Sequence, residues 1–455
     1  MEDLKLEKKD LEVASLGEAR IPSPLGLGSI GGDGEVDYVP EGRGVLYDTD
    51  RDRVVSAVKS GADVPAFEGA GPRRNIFFDP ARVKAAIVTC GGLCPGINNV
   101  VRTLVFELHY RYGVRSILGI RYGYRGFIPK YGYEPLPLSP EDVKDIHERG
   151  GSFLSSSRGE QDAGEIVDFL QRKGIALLFT IGGDGTLRGA LDIHREVTKR
   201  KLPISVIGIP KTIDNDIAFV ERTFGLETAF SVAADSIRSA HTEAIGAPNG
   251  IGIVKVMGRM SGYIAANAAL ALNEVNFCLI PEVPFGMDGS FGLCALTEQR
   301  LRQRDHAVII VAEGAGQEYV EDKTGKKDES GNPVLGDIGV FLKTSLKDYF
   351  KKNTDLYVNI KYIDPSYMVR SVAANAHDAI YCIQLAQNAV HAGMAGKTGM
   401  IIGQWNGQFT HVPIALAISR RKVLSTEDPL WLSVLESTGQ PMRIGGGTPA
   451  REGID

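Results

Sequence analysis

Ala176-Leu177-Leu178-Phe179-Thr180-Ile181-Gly182-Gly183-Asp184-Gly185-Thr186-Leu187 reads as a buried strand that stops in a glycine turn and delivers the chain to a helix. The apolar run 176–181 has the length and continuity of a strand covered on both faces, and 187–199 carries helical spacing. Glycines at such a junction let backbone amides approach an anionic phosphate chain at a helix N-terminus, and Asp184 can hold a hard cation such as Mg²⁺. A plain tight turn is the structural alternative for Gly-Gly-Asp-Gly alone. About twenty-five residues on, Pro210-Lys211-Thr212-Ile213-Asp214-Asn215-Asp216 leaves another strand, 205–209, with two carboxylates and a hydroxyl at the same sheet edge. An extended reading puts Asp214 and Asp216 on one side, two residues apart. Two close carboxylates raise a pKa unless a cation or a reacting proton lies between them, so Asp214 is the candidate general base, against an Asx-rich turn capping the next helix. Together the two runs supply what phosphoryl transfer to a hydroxyl needs.

Outward from these runs the chain alternates. Strand 84–90, the glycine loop Gly91-Gly92, helix 99–110, strand 116–120 and helices near 140–147 and 165–172 precede the strand entering Gly182. Alternation of this kind predicts a parallel, doubly wound sheet with its chemistry at the carboxyl ends of the strands. A second set follows: helix 226–244, strand 252–256, helix 261–272, strand 277–280, helix 291–302 and strand 307–312. The fold class is therefore α/β, two doubly wound Rossmann-like domains. A helical stretch over 370–392 then leads to the apolar run 398–402, assigned back to the first sheet. Residues 1–80, rich in Gly, Pro and charge, with turns at Ile21-Pro22-Ser23-Pro24 and Gly31-Gly32-Asp33-Gly34, read as an extension packed on the main body or on a neighbouring subunit. The polar tract 322–332 reads as a solvated surface insertion.

Composition excludes more than it selects. At 455 residues the chain exceeds one ordinary core. The 51 Lys and Arg against 56 Asp and Glu give a net charge of −5, which provides no global pull toward nucleic acid, so an anionic substrate must be met by local Arg and Lys clusters. Cys90, Cys94, Cys278, Cys294 and Cys382 are an odd set in a large chain whose start, Met1 to Lys9, lacks an apolar signal core. Reduced thiols and a cytoplasmic location are expected. Cys90 and Cys94 flank the first glycine loop without the ligands that would complete a zinc site, and read as small packed residues. The most apolar stretch, 265–281, is interrupted by Asn267, Asn273, Glu274 and Asn276, so no membrane span is expected.

Over residues 83 to 415 the chain resembles the 6-phosphofructokinase family. The motifs that carry the resemblance stand in the family's order: Gly91-Gly92-Leu93-Cys94-Pro95-Gly96-Ile97-Asn98, the two runs above, Met257-Gly258-Arg259, Glu313-Gly314 and Tyr367-Met368-Val369-Arg370. Cys-Gly-Gly-Leu-Cys-Pro-Gly, Pro-Lys-Thr-Ile-Asp-Asn-Asp and Tyr-Ile-Asp-Pro-Ser-Tyr-Met-Val-Arg are most similar to the branch with the plant and kinetoplastid ATP-dependent enzymes. The resemblance implies a nucleotide domain over 81–225, completed by 370–420. It implies a fructose 6-phosphate domain over 226–369, completed by 421–455, with a substrate cleft between the two and homodimers or homotetramers. It implies ATP and Mg²⁺ at Gly92, Arg158, Gly159, Gly183, Asp184, Gly185 and Thr186, with Asp184 toward the metal. Thr212, Asp214, Met257, Gly258, Arg259, Glu313, Lys361, Tyr367 and Arg370 are implied for fructose 6-phosphate. Read without the family, Arg158 would be a solvated loop residue and Arg259 an ordinary helix-start cation. The guanidinium forks of Arg259 and Arg370 suit a phosphate or sugar oxygens, and Glu313 can accept from sugar hydroxyls.

Two departures from the short bacterial pattern stand out. Tyr367 replaces a histidine on the sugar phosphate, and Gly250 replaces an arginine that reaches a neighbouring subunit's site. Lys361 keeps the other cross-subunit position, so substrate sharing rests on Lys361 and the case for bacterial-type allosteric control weakens. The donor is read from Gly185, where pyrophosphate users carry Asp. Lys211 is shared by pyrophosphate users and by the plant and kinetoplastid ATP enzymes. A pyrophosphate-dependent relative, another Gly-Gly-Asp-Gly kinase acting on NAD or diacylglycerol, and a non-catalytic regulatory subunit are the competing readings.

Overall fold

The computed structural model describes residues 6–31, 33–320 and 334–445. The tract 322–332 lies outside them. The chain divides into two compact units. The first comprises Met1–Thr212, Ile217–Gly225 and Ser371–Arg421, and the second Ile213–Asp216, Leu226–Arg370 and Lys422–Asp455.

The first unit is built on a nine-stranded sheet. Its five central strands are parallel and run, in spatial order, Met400–Trp405, Ser205–Pro210, Leu177–Gly182, Lys84–Thr89 and Ser116–Ile120. Numbered along the chain from Lys84, this is the order 2-1-3-4-5 of one common doubly wound sheet. The direction of travel reverses between Lys84–Thr89 and Leu177–Gly182, the topological switch point where ligands of such sheets bind. Every residue of Leu177–Gly182 and of Ser205–Pro210 is buried, as parallel strands covered on both faces require. Helix Asp184–Lys199 packs back on the sheet through Leu187, Ala190, Ile193 and Val197, all at most 1% exposed. Leu187, Ile193 and Val197 each contribute about 1.5–3 kcal/mol by leaving water.

The described residues ahead of Lys84 belong to this unit structurally. Gly44–Leu46 and Ala66–Gly69 extend the sheet antiparallel beyond Gln408–Pro413, and Ala14–Ser15 pairs with Lys397–Thr398. The join is ionic as well as hydrogen-bonded. Glu68, opposite His411 in register, lies 2.8 Å from Lys397 Nζ, 2.9 Å from the buried Arg73 guanidinium and 3.6 Å from His411 Nδ1. Burial alone would raise the Glu68 pKa; His411 and Lys397 outweigh it and hold the carboxyl well below its usual range.

The second unit carries a four-stranded, wholly parallel sheet in the order Phe277–Leu279, His306–Ala312, Gly250–Val256, Asn359–Ile363. Helix Ile338–Asn353 and strand Asn359–Ile363 are elements that sequence patterning did not single out. Two helical expectations are corrected. The segment near 140–147 forms only Pro140–Val143 and a 3₁₀ turn at Ile146–Glu148. The stretch 370–392 splits into Met368–Ser371 and Ala376–Met394, because the Asn375 side chain accepts the Asp378 N–H at 2.9 Å and caps a new helix. Among the described residues no helix is long and apolar enough to cross a membrane.

The Glu68 cluster sets a stability test. Glu68→Gln removes the buried anion and leaves only the exposed Glu41, 3.5 Å from Arg73 Nε and 3.8 Å from Lys397 Nζ, to offset the two cations, and urea titration at neutral pH should show a loss of about 3 kcal/mol. A depressed carboxyl pKa contributes stability that is complete above the unfolded value near 4.5 and fades as pH falls below it. The gap between the wild type and the variant should therefore shrink with acidification, and a loss under about 0.5 kcal/mol would remove the cluster as the anchor of the N-terminal strands.

Candidate active site

At the switch point of the first sheet the two strand ends diverge. Lys84–Thr89 continues into the loop at Gly91-Gly92 and Leu177–Gly182 into Gly183-Asp184-Gly185-Thr186. Cys90 N–H still donates to the Ile181 carbonyl at 2.9 Å; beyond that rung the loops separate. Gly91 has φ +84°, a conformation that favours glycine. It is clamped on both sides: its N–H donates to the Ser157 carbonyl at 3.0 Å, and its carbonyl accepts the Ser156 hydroxyl at 2.7 Å. Thr89 Oγ1 donates to the Ser155 carbonyl at 2.7 Å. Asn98 completes the attachment, donating to the Arg149 carbonyl at 3.0 Å and accepting the Phe153 N–H at 2.8 Å. The serine-rich loop is thus stitched to the first glycine loop, and the half-buried Arg158 directly follows the stitch, with Gly159 at φ +92° and open space around it.

Lys211 ties the next strand to the same place. Its N–H donates to the Gly182 carbonyl at 3.0 Å, and its Nζ, drawn into the protein, donates to the Gly92 carbonyl at 2.7 Å. A Cβ on Gly91 would come within 3.3 Å of that ammonium. A buried cation and the N-terminus of a sixteen-residue helix therefore flank the two glycine loops, which is an anion site by electrostatics. Tyr124 supports the second loop, its hydroxyl donating to the Thr186 carbonyl at 2.7 Å. A Cβ on Gly185 would meet nothing within 4 Å, so the backbone there faces open space. Asp184 stands in the first turn of this helix with its side chain 21% exposed. A lone carboxylate fits Mg²⁺, which keeps several waters and takes further oxygens from substrate phosphates. Among the described residues no group of three or more His, Cys, Asp or Glu forms a metal cage.

The chain leaves the first unit after Thr212, whose carbonyl accepts the Thr223 hydroxyl at 2.6 Å. Ile213–Asp216 is not extended. Asn215 is left-handed at φ +54°, and the backbone bends at Ile213 and Asp214, so the strand-like alternation expected for Asp214 and Asp216 does not hold. Asn tolerates this region because its short polar side chain bonds locally. The bend is held within the second unit: Ser261 Oγ donates to the Asp214 carbonyl at 2.6 Å, and Lys422 N–H to the Asp216 carbonyl at 3.0 Å.

In the second unit the candidate residues gather at the carboxyl edge of three adjacent strands. Gly250–Val256 runs into Met257-Gly258-Arg259, His306–Ala312 into Glu313-Gly314, and Asn359–Ile363 into the segment bearing Tyr367 and Arg370. Glu313 N–H donates to the Val256 carbonyl at 2.8 Å and Gly314 N–H to the Gly258 carbonyl at 3.1 Å. Both glycines are sterically required: a Cβ would strike the Arg259 carbonyl at 314 and the Ser261 carbonyl at 258. Burial raises the Glu313 pKa, while Arg259, Lys255 and Arg370 pull it down and Asp364 opposes them. Lys255 itself is bound to Asp364 at 2.9 Å and Asp337 at 3.2 Å. Glu313 thus sits with three cations, one of which, Lys255, is already paired with two other carboxylates. Tyr367 is 75% exposed, with the Arg370 guanidinium 4.9 Å above its ring. Lys361 lies apart from this edge, within its strand, 3.6 Å from Glu243. Gly250 has no room for a side chain, since a Cβ there would collide with the Ala244 carbonyl. An arginine at this position is excluded by the end of helix Leu226–Ile245.

The phosphofructokinase family model matches residues 84–393. The chain is 46% identical over 452 residues to the ATP-dependent 6-phosphofructokinase of Borreliella burgdorferi, covering 97% of this chain and 99% of that one. It is 48% identical over 381 residues to ATP-dependent 6-phosphofructokinase 7 of Arabidopsis thaliana, covering 83% of this chain and 78% of the relative. Among solved structures, the pyrophosphate-dependent phosphofructokinase of Marinobacter aquaeolei superimposes with a TM-score of 0.64 at 18% identity, over 81% of this chain and 94% of that one. At that identity the likeness speaks to the fold alone.

Proposed function

The chain belongs to the phosphofructokinase family, and from that premise we propose that it is an ATP-dependent 6-phosphofructokinase, moving the γ-phosphoryl group of ATP to the 1-hydroxyl of fructose 6-phosphate. Donor binding falls to the first unit: the amides of Gly92 and Gly183–Thr186 face the phosphate chain, with Arg158 and Gly159 beside it. Acceptor binding falls to Thr212 and to the second unit's Met257, Gly258, Arg259, Glu313, Tyr367 and Arg370. Arg259 and Arg370 meet the sugar phosphate, and Glu313 accepts from sugar hydroxyls. Lys361 is the residue we assign to a neighbouring copy in a homodimer or homotetramer. Five buried cysteines, none of them in a disulfide, support a reducing, cytoplasmic setting.

Asp214 is the base. It follows Lys211 by three residues, so chain length alone keeps it within about 11 Å of the strand end that carries the phosphate loop's lysine. Asp214 takes the proton of the attacking hydroxyl, a step that contributes about 10²- to 10⁴-fold. A magnesium ion held by Asp184 and the ATP phosphates supplies, when bound, neutralisation of charge on the transferring group. The loop amides and Arg158 align that group and offset the same charge, which for phosphoryl transfer is the larger share of catalysis. The observation that carries the donor choice is the open backbone at Gly185. It leaves the volume that an α-phosphate and the nucleoside beyond it require, whereas pyrophosphate ends earlier.

Two variants test this reading. Asp214→Asn keeps shape but cannot take a proton, so kcat should fall at least about 100-fold with little change in the KM for fructose 6-phosphate; a variant with most of its activity would remove Asp214 as the base. Gly185→Asp adds a side chain where the protein leaves 4 Å clear, so the variant should melt like wild type. Its ATP kcat/KM should nonetheless drop at least about 100-fold, because a carboxylate then stands against the α-phosphate. ATP turnover unchanged in a folded Gly185→Asp would show that the donor does not pass this position.

A further inference from the structure

One turn into the helix that opens at Asp184, Arg188 closes a fork on that carboxylate. Its Nε lies 3.0 Å from Oδ2 and its Nη2 3.2 Å from Oδ1, and Nη2 also reaches the Ile418 carbonyl at 3.2 Å. As a stability device the pair is minor: Arg188 is 54% exposed, and i,i+4 pairs in water contribute a few tenths of a kcal/mol. As chemistry it is consequential. Both oxygens of Asp184 are engaged by a planar bidentate donor, and the Ile418 carbonyl steadies the fork from outside the helix. A cation approaching Asp184 from water meets a carboxylate already neutralised by a fixed positive charge.

Resting on the reading of Asp184 as the metal-facing residue, we propose that Arg188 is a positioning residue that bars free divalent cations from Asp184 and yields to a cation arriving with a polyphosphate. The physical asymmetry is the charge of the incoming species. A bare dication is repelled by the guanidinium and must compete with it for the same oxygens. A metal–nucleotide complex is net negative, so it attracts Arg188 away from the carboxylate while delivering the metal to it. The arrangement admits metal and nucleotide together and discourages the metal alone, a role that the glycine loops do not fill.

The test uses Mn²⁺ as the probe, titrated into the purified full-length protein without nucleotide and followed by the electron paramagnetic resonance signal of the free ion. Arg188→Gln should bind Mn²⁺ at least about tenfold more tightly than wild type, the scale expected when a unit charge about 5 Å from a dication is removed in a largely aqueous medium. Asp184→Asn combined with Arg188→Gln should lose that gain. Arg188→Lys, which keeps the charge, should stay within about threefold of wild type; equal tightening in the Lys and Gln variants would point to loosened packing and overturn the proposal. With ATP present the wild type and Arg188→Gln should converge to within about threefold. If Asp184→Asn alone leaves Mn²⁺–ATP binding unchanged, the reading of Asp184 fails and takes the inference with it. If Asp184→Asn weakens that binding but Arg188→Gln leaves free Mn²⁺ binding at the wild-type level, only the role of Arg188 is overturned.

Discussion

Two neighbouring parallel strands, Lys84–Thr89 and Leu177–Gly182, must send the chain in opposite directions once their last shared rung, Cys90 to Ile181, is made. That constraint creates the glycine-lined space at the switch point. Loops leaving a switch point diverge, and the space between them is lined by backbone rather than by side chains only if glycine occupies the divergence. Gly91-Gly92 and Gly182-Gly183 meet the requirement on the two sides. The buried ammonium of Lys211, bonded to the Gly92 carbonyl, then sets a positive charge where loops and helix N-terminus converge. The serine-rich loop, bonded to both the amide and the carbonyl of Gly91, carries Arg158 to the same neighbourhood. Remove the reversal of strand order and none of these groups would meet.

The second unit solves a different problem with the same architecture. Its four-stranded sheet offers the carboxyl ends of three adjacent strands, and each contributes polar groups from the few residues after the strand stops. The close backbone approach at Gly258 and Gly314 locks two of those loops together, which sets Glu313 among Arg259, Lys255 and Arg370. Glu313 remains an acceptor beside Arg259 and Arg370, while the charge of Lys255 is taken up by Asp364 and Asp337. A chain with a net charge of −5 thus sets two guanidinium groups at one strand edge, and attraction of an anion there is a matter of placement rather than of composition.

Much of this was legible in the sequence because it is written in residue types that have few other uses. Continuous apolar runs ending in paired glycines marked the strand ends, and Gly185 without a side chain marked open space beside the second glycine loop. What was not legible depends on contacts between residues far apart in the chain. Helix Ile338–Asn353 and the edge strand Asn359–Ile363 follow a polar tract and lack a strong periodic signal. The left-handed Asn215 turned an expected extended pair of aspartates into a bend, and Asn375 broke a helix that propensity alone would have run through. The ion pair of Arg188 with Asp184 sits at helical spacing and could have been found from i,i+4 logic, whereas its second anchor at Ile418 could not. The exclusion of a side chain at Gly250 is likewise a fact of packing against Ala244.

The most direct measurement is a coupled assay of the purified wild-type protein with fructose 6-phosphate and Mg²⁺, run once with ATP and once with pyrophosphate as donor. The account requires turnover with ATP at a kcat/KM at least about tenfold above that with pyrophosphate, a transition-state preference of roughly 1.4 kcal/mol. Pyrophosphate as the better donor, or no turnover with either, would contradict it.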